Sequence, residues 1–272
     1  MTSLTPSIGS EIRELDLSQP ISGPRAQALR GLLADRGVLV VRDQQLDREQ
    51  HKACGRLFGE LHTHPSRLNT RGDPHIFKVR SDAQTQLNNG GAWHSDLSCE
   101  TQPPLASLLL IRGAQDMPAS GGGDTLFVNM CDVFDALSPP LQDYLRGLDA
   151  RHDGRRDLRQ YGIPVDEHTN YPCSDHPIVV CHPETGRELL LVNASFTERI
   201  IGLEAAESDH LLRFLVGKIA NSVEFQCRVR WSPNTLVIWD NRMTQHKAIW
   251  DYFPETRYGE RVSVKSPQRP SR

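Results

Sequence analysis

Apolar and polar positions along the chain follow two different rhythms. In "GPRAQALRGLLADRG" (residues 23–37) the apolar residues recur at helical spacing and a glycine closes the run, which predicts a helix. The next run, "VLVVRDQ", is continuously apolar at its start and predicts a buried strand. "LDREQHKACGRLFGEL" (residues 46–61) reads as a second helix, with Asp47 as N-cap and Gly59 near its end. From Pro74 onward the pattern breaks into short β-like runs with turn signals between them: "HIFKV", "PLASLLLI", "DTLFVN", "HPIVVCH", "ELLLVN", "CRVRW", "TLVIWDN" and "RVSVK". One strong helical pattern interrupts them, "LEAAESDHLLRFLVGKIA" (residues 203–220). Many short strands with a few helices predict an α+β, mainly β protein, a β-sandwich or jelly roll buttressed by helices. A doubly wound sheet is not expected, because the second half lacks regular alternation of strand and helix.

Composition narrows the function classes. The 272 residues are 38% hydrophobic and 24% charged with a formal net charge of −3, an ordinary globular balance without the basic field that attracts nucleic acid or anionic membrane. The basic run "RHDGRRDLR" (residues 151–159) is expected to be a solvated surface segment. No stretch approaches the roughly 20 apolar residues of a membrane span, and the first residues lack a secretory h-region. The six cysteines show no zinc-like spacing and read as reduced, mostly core thiols in a cytoplasmic protein. Without an internal repeat or a long linker, residues 1–272 are expected to form one domain.

The chemistry concentrates in "AWHSDLSCE" (residues 92–100). His94 and Asp96 stand at alternate positions, so in a strand both side chains point the same way. A third donor, His246, follows the strand-like "TLVIWDN". Two imidazoles and one carboxylate match the facial triad that holds non-haem Fe(II) and leaves three coordination positions open; a tetrahedral arrangement with one water would indicate zinc hydrolysis instead. Arg257 and Arg261 follow in "RYGERVSVK", where an arginine can hold a dianionic cosubstrate by a bidentate fork. The glycine turn of "SGGGDTLFVNM" delivers Thr125 as a hydroxyl donor at a strand start. Together these describe a 2-oxoglutarate site.

At this point the chain resembles the taurine dioxygenase (TauD/TfdA) family of Fe(II)/2-oxoglutarate-dependent dioxygenases. The resemblance runs through "IGSEIRELDLSQP", "RLFGELHTHP", "WHSD", "PPLAS", "GGDTLF", "ALSPPLQ", "HPETGRELLLVN", "FTERI", "RVRWSPNTLVIWDNRMTQH" and "RYGERV". It implies a double-stranded β-helix core, a jelly-roll variant, with Fe(II) on His94, Asp96 and His246 and with O2 and 2-oxoglutarate as cosubstrates. It further implies that Arg257 and Thr125 hold the far carboxylate of 2-oxoglutarate. Arg261 falls near a substrate or cosubstrate anion, and His64 and Phe196 line the substrate pocket, with Arg67 beside it. A homo-oligomer acting on a small molecule is also implied, with no nucleic-acid or membrane partner.

Three positions depart from the taurine-type pattern. Gly90 replaces an amide, and Leu158 and Arg67 each replace an aromatic. The arginines favour a small anionic carboxylate, sulfonate or sulfate ester, whereas Gly90 and Leu158 favour a more apolar, secondary-metabolite type of molecule. Hydroxylation is the default outcome, with desaturation or C–heteroatom cleavage as the other outcomes. Two further readings compete: a hydrolase using Ser98 or Cys99 with His94, for which no GxSxG-type partner motif exists, and a non-enzymatic ligand-binding member of the fold. The remaining histidines are expected to be surface or satisfied structural residues, and Trp93 and Trp239 to be core packing beside the site.

Overall fold

The continuously apolar runs become strands buried on both faces. A computed structural model describes residues 1–65, 72–87, 90–166 and 168–272. Its first half contains β1 (Thr2–Ser3), β2 (Ser10–Ile12), α1 (Gly23–Arg36), β3 (Val38–Val41), α2 (Arg48–Arg56), β4 (Phe77–Ser81), β5 (Ala106–Ile111) and β6 (Thr125–Asn129). There follow α3 (Met130–Asp135), α4 (Pro139–Arg146), β7 (Asp149–Asp153), α5 (Gly154–Gln160), β8 (Cys173–Pro177), β9 (Val179–Cys181) and β10 (Glu188–Leu190). The last elements are β11 (Thr197–Ile200), α6 (Ala205–Asn221), β12 (Gln226–Val229), β13 (Thr235–Asp240), β14 (Thr244–Ala248) and β15 (Arg257–Val264).

A seven-stranded sheet in the order β1-β2-β3-β13-β5-β15-β4 forms the backbone of the molecule. Period 2 explains its composition. Leu39 and Val41 of β3 face one way, into a cluster with Leu29 and Leu33 of α1 and Cys54 of α2. Val38 and Val40 face the other way, into a cluster with Phe127, Cys227 and Trp239. That second face meets a three-stranded sheet, β12-β6-β14. Helices cover one face and a sheet the other, so "VLVV" has no polar side to present. A third apolar cluster joins α3, α4 and α6 to the small sheets β10-β9 and β11-β7-β8. The core is therefore β-rich with helices packed outside it.

Three expectations need correction. The helix begins at its Asp47 cap, which forms a capping box with Gln50, but it stops at Arg56 rather than reaching residue 61. The reason is competition: the Leu61 segment bridges to Val264, with His62 N donating to Ser263 O and Lys265 N to Glu60 O. Second, α3, α4 and α5 arise where no helix was expected; each is one or two turns long, too short for periodicity to register. Third, the basic run is not a solvated segment throughout. Its first part is β7, where His152 and Asp153 are buried, and Asp153 then caps α5 by accepting from Arg155 N.

Other expectations hold. Cys54, Cys99, Cys131 and Cys227 are buried and all six cysteines are free. Buried histidines are tied to the frame: His51 bonds Leu108 O through Nε2, with Nδ1 lacking a hydrogen-bond partner among the described residues, and His176 bonds Ser98 O and Glu100 O. Among the described residues no helix is long and apolar enough to cross a membrane.

The end of β13 is tied down by charge. Asp240 is fully buried; its carboxylate accepts from His182 Nε2 at 3.1 Å and from Arg242. Burial alone would raise its pKa, but Arg242 and His182 outweigh it and hold the carboxyl well below the usual range. A depressed carboxylate stabilises the fold fully above its unfolded pKa of about 4, and the contribution fades as pH falls from there towards the folded value. Asp240→Asn is thus expected to cost about 3 kcal/mol at neutral pH, with the difference from wild type narrowing below about pH 4. Urea unfolding at pH 7 and pH 3 checks both parts.

Candidate metal centre

The site is built where β14 runs past the "AWHSD" segment. β14 pairs with β6 so that His246 lies opposite Phe127. On its other side His246 forms a single antiparallel bridge with His94, His94 N donating to His246 O at 3.1 Å and His246 N to His94 O at 2.8 Å. The expected regular strand through His94 and Asp96 is not present. Only the bridge at His94 is β-like, and the chain then turns, with Leu97 at φ +50°.

What holds Asp96 in place of a strand partner is a side chain. Asn241 Oδ1 accepts from Asp96 N at 2.7 Å, while its Nδ2 donates to Asp96 O and Pro104 O. Ser95 Oγ adds a bond to Thr244 O. The convergence foreseen from period 2 therefore occurs, through a bridge and a clamped turn. Asn241 carried no expected role, although it sits in "WDN" at the end of a buried strand, where an amide is the residue able to replace both halves of a ladder.

His94, Asp96 and His246 offer one donor atom each, all within 4.8 Å of one another and all buried. Asp96 Oδ1 is 3.9 Å from the Nε2 of each histidine. His94 Nδ1 donates to Ala92 O at 2.9 Å, which leaves Nε2 as the ring nitrogen facing the centre. Burial, then the neighbouring His94, pushes the His246 imidazole well below its ordinary pKa and keeps it neutral, as a ligand must be. For Asp96 burial opposes ionisation. The Arg261 guanidinium first, then the two neighbouring imidazoles and a hydrogen bond from Ser107 Oγ to Oδ2 at 2.8 Å, override it, and the carboxyl lies well below the usual range. Two imidazoles and an ionised carboxylate fit Fe(II). Ser107, on β5, was not foreseen, because an inward serine in "LASLLLI" leaves no local mark.

Arg257 opens β15 and is buried, with its guanidinium carbon 5.3 Å from the Trp231 ring. Its Nε and Nη2 have no hydrogen-bond partner among the described residues, and burial lowers its pKa. Trp231 Nε1 donates to Thr125 Oγ1 at 3.1 Å, so one indole spans the two expected cosubstrate residues. The glycine turn is required here: Gly123 has φ +71°, and a Cβ on it would lie 2.8 Å from Arg257 Cδ. A buried cation with unanswered donors beside a hydroxyl fits a carboxylate-bearing cosubstrate.

The expected substrate residues divide. His64 and Arg261 are brought together: the His64 ring lies 4.2 Å from Phe77, and the Arg261 guanidinium lies 4.7 Å over the same ring. Burial, with Arg261 beside it, pushes His64 down to about 3, so it is neutral at physiological pH. Arg261 also donates to Asp96 Oδ1. Phe196 is buried in a loop joined to the site through Ala194 N and Trp93 O at 3.2 Å. Arg67 lies outside the described residues. Trp239 is packed against His246 at 4.9 Å as expected. A Cβ on Gly90 would stand 3.6 Å from His94 Cε1, so the missing side chain leaves room beside a donor residue.

The nucleophile reading fails on this geometry. Ser98 Oγ is held by His152 and by Asn193 Nδ2, and burial raises the Cys99 thiol far above its ordinary pKa.

A family model described as "Taurine catabolism dioxygenase TauD, TfdA family" matches residues 1–263. The chain is 36% identical over 269 residues to "Alpha-ketoglutarate-dependent dioxygenase cnsM" of Penicillium expansum, covering 93% of this chain and 74% of that one. It is 35% identical over 283 residues to the "Alpha-ketoglutarate-dependent sulfonate dioxygenase" of Saccharomyces cerevisiae, covering 98% of this chain and 66% of that one. The crystal structure of a taurine dioxygenase from Burkholderia xenovorans superposes with a TM-score of 0.82 at 30% identity, covering 99% of this chain and 91% of the other.

A buried guanidinium with two unanswered nitrogens is costly to the free protein. Arg257→Met, which keeps volume without the charge, is expected to raise ligand-free stability by about 1 kcal/mol, seen as a higher unfolding temperature in calorimetry.

Proposed function

The chain belongs to the taurine catabolism dioxygenase TauD, TfdA family, and on that premise we propose that His94, Asp96 and His246 hold its metal and that its substrate is a small organic anion. The enzyme is an oxidoreductase, an alpha-ketoglutarate-dependent dioxygenase whose family uses Fe(II), 2-oxoglutarate and O2. The observation that carries the site assignment is the convergence of two Nε2 atoms and one carboxylate oxygen within 4.8 Å. In the same reading the two facing sheets form the double-stranded β-helix of a jelly roll, and residues 1–272 make one domain. A homo-oligomer in the cytoplasm completes the proposal; light scattering on the pure protein tests the assembly.

Held by His94, Asp96 and His246, Fe(II) would supply the oxidative chemistry that converts 2-oxoglutarate and O2 to succinate and CO2 and, by default, hydroxylates the substrate. The chain's own residues do the rest. Ala92 O and Ser107 Oγ orient His94 and Asp96, so the donor atoms are in place before any ligand arrives. Arg257 takes the far carboxylate of 2-oxoglutarate through its two unanswered nitrogens, and Thr125 Oγ1 donates to the second oxygen. Burial of all these groups excludes water and strengthens each charge contact.

Arg261 and neutral His64, gathered on Phe77, form the cationic and hydrogen-bonding side of the substrate pocket, with Phe196 as an apolar wall. This supports a sulfonate, sulfate ester or carboxylate, and the yeast relative is named for sulfonates. The space beside His94 at Gly90 favours a second reading, a bulkier and more apolar substrate.

Anaerobic Fe(II) with 2-oxoglutarate is expected to produce a weak visible charge-transfer band. His94→Ala and Asp96→Ala are expected to lose the band and all turnover while keeping the wild-type circular dichroism spectrum; a persisting band would remove the triad from its role. Arg257→Ala is expected to raise the KM for 2-oxoglutarate by about tenfold or more, the scale of a charge-assisted contact. A turnover screen of alkylsulfonates, alkyl sulfates, carboxylates and neutral terpenoid-like compounds separates the substrate readings. Activity on the neutral compounds alone, indifferent to Arg261→Ala, would end the anion reading.

A further inference from the structure

Arg261 and the metal need the same atom. Asp96 has two carboxylate oxygens, and Ser107 Oγ holds Oδ2 at 2.8 Å. Oδ1 is the oxygen that faces both histidines, 3.9 Å from each Nε2. That same Oδ1 accepts from Arg261 Nη1. The guanidinium is buried and lies over Phe77, and its Nε has no partner among the described residues. Its residence on Asp96 thus leaves it incompletely satisfied, with Nε unanswered.

We propose that Arg261 guards Asp96 Oδ1 in the metal-free protein, and that metal binding displaces it and makes it available to the substrate's anionic group. Two cations at one buried carboxylate repel each other strongly where the dielectric is low. A metal drawn to Oδ1 by two imidazoles therefore loosens the Arg261 contact. The released guanidinium is a buried cation in need of an anion, and the anion it binds in turn stabilises the metal-loaded state. Thermodynamic reciprocity requires both directions to have the same magnitude. The site is then assembled in order, metal before substrate, and Arg261 acts on the metal as a positioning residue through Asp96. The second half of this inference rests on the anionic-substrate reading; the first half does not.

Mn(II) titrations by calorimetry, without 2-oxoglutarate, test it on wild type, Arg261→Gln and Arg261→Lys, each with and without methanesulfonate. Arg261→Gln is expected to bind Mn(II) about tenfold tighter than wild type, the scale of one charge-assisted contact removed. Methanesulfonate is expected to tighten Mn(II) binding several-fold in wild type and to do nothing in Arg261→Gln. A residue that merely props up Asp96 would give the opposite sign, so Mn(II) binding by folded Arg261→Gln that is equal to or weaker than wild type overturns the proposal. Arg261→Lys retains a charge without the planar fork and is expected to fall between the two. Should the glutamine variant not fold, Arg261→Lys decides by the same sign. Tighter binding in the variant with no methanesulfonate effect in wild type would leave the guard role standing and overturn the anionic-substrate reading.

Discussion

Burying the carboxylate of Asp96 is the constraint around which this molecule is arranged. A carboxylate out of water must be met on every side, and here each partner comes from a different part of the chain. Ser107 reaches it from β5, Arg261 from β15 and His246 from β14, while Asn241 at the end of β13 holds its backbone. These strands must be packed before the charge is affordable. The two apolar clusters on either side of the large sheet supply that packing, and the sheet in turn places donors from residues 94 to 261 around one point.

Polar groups in the interior fall into two kinds. Some form closed networks, such as Asp240 with His182 and Arg242, or Ser98 with His152 and Asn193. These stabilise the frame and leave nothing to offer a ligand. Others are buried and incomplete: Arg257 Nε and Nη2, Arg261 Nε and His246 Nδ1. Incomplete groups weaken the free protein; Arg261 and His246 stand at the Asp96 carboxylate, while His51 Nδ1, Arg112 Nη2 and Ser222 Oγ are incomplete as well. At Arg257 the unanswered buried nitrogens cost the free protein stability.

Much of this was legible in the sequence. The apolar runs of β3, β5 and β13, the Asp47 cap and the long α6 follow from periodicity and capping chemistry, which act over a few residues. His94, Asp96 and His246 stood out as a donor set because metal chemistry admits few such sets, and the fold brings the three together. The short helices α3 to α5 were not, since one or two turns make no periodic signal and are stabilised by what they pack against. The early end of α2 was hidden for a related reason: its last turn competes with a bridge to Val264, two hundred residues away in the chain.

By itself the sequence determined which residues are apolar enough to form a two-sided sheet, which side chains can bind a metal, and which arginines are available for anions. Tertiary structure alone decided that Asn241 substitutes for a strand partner, that Ser107 occupies one oxygen of Asp96, and that Arg261 occupies the other. The physical reason is range. Propensity and donor chemistry belong to a residue and its neighbours, whereas the satisfaction of a buried charge depends on atoms that only the folded chain brings within hydrogen-bonding distance.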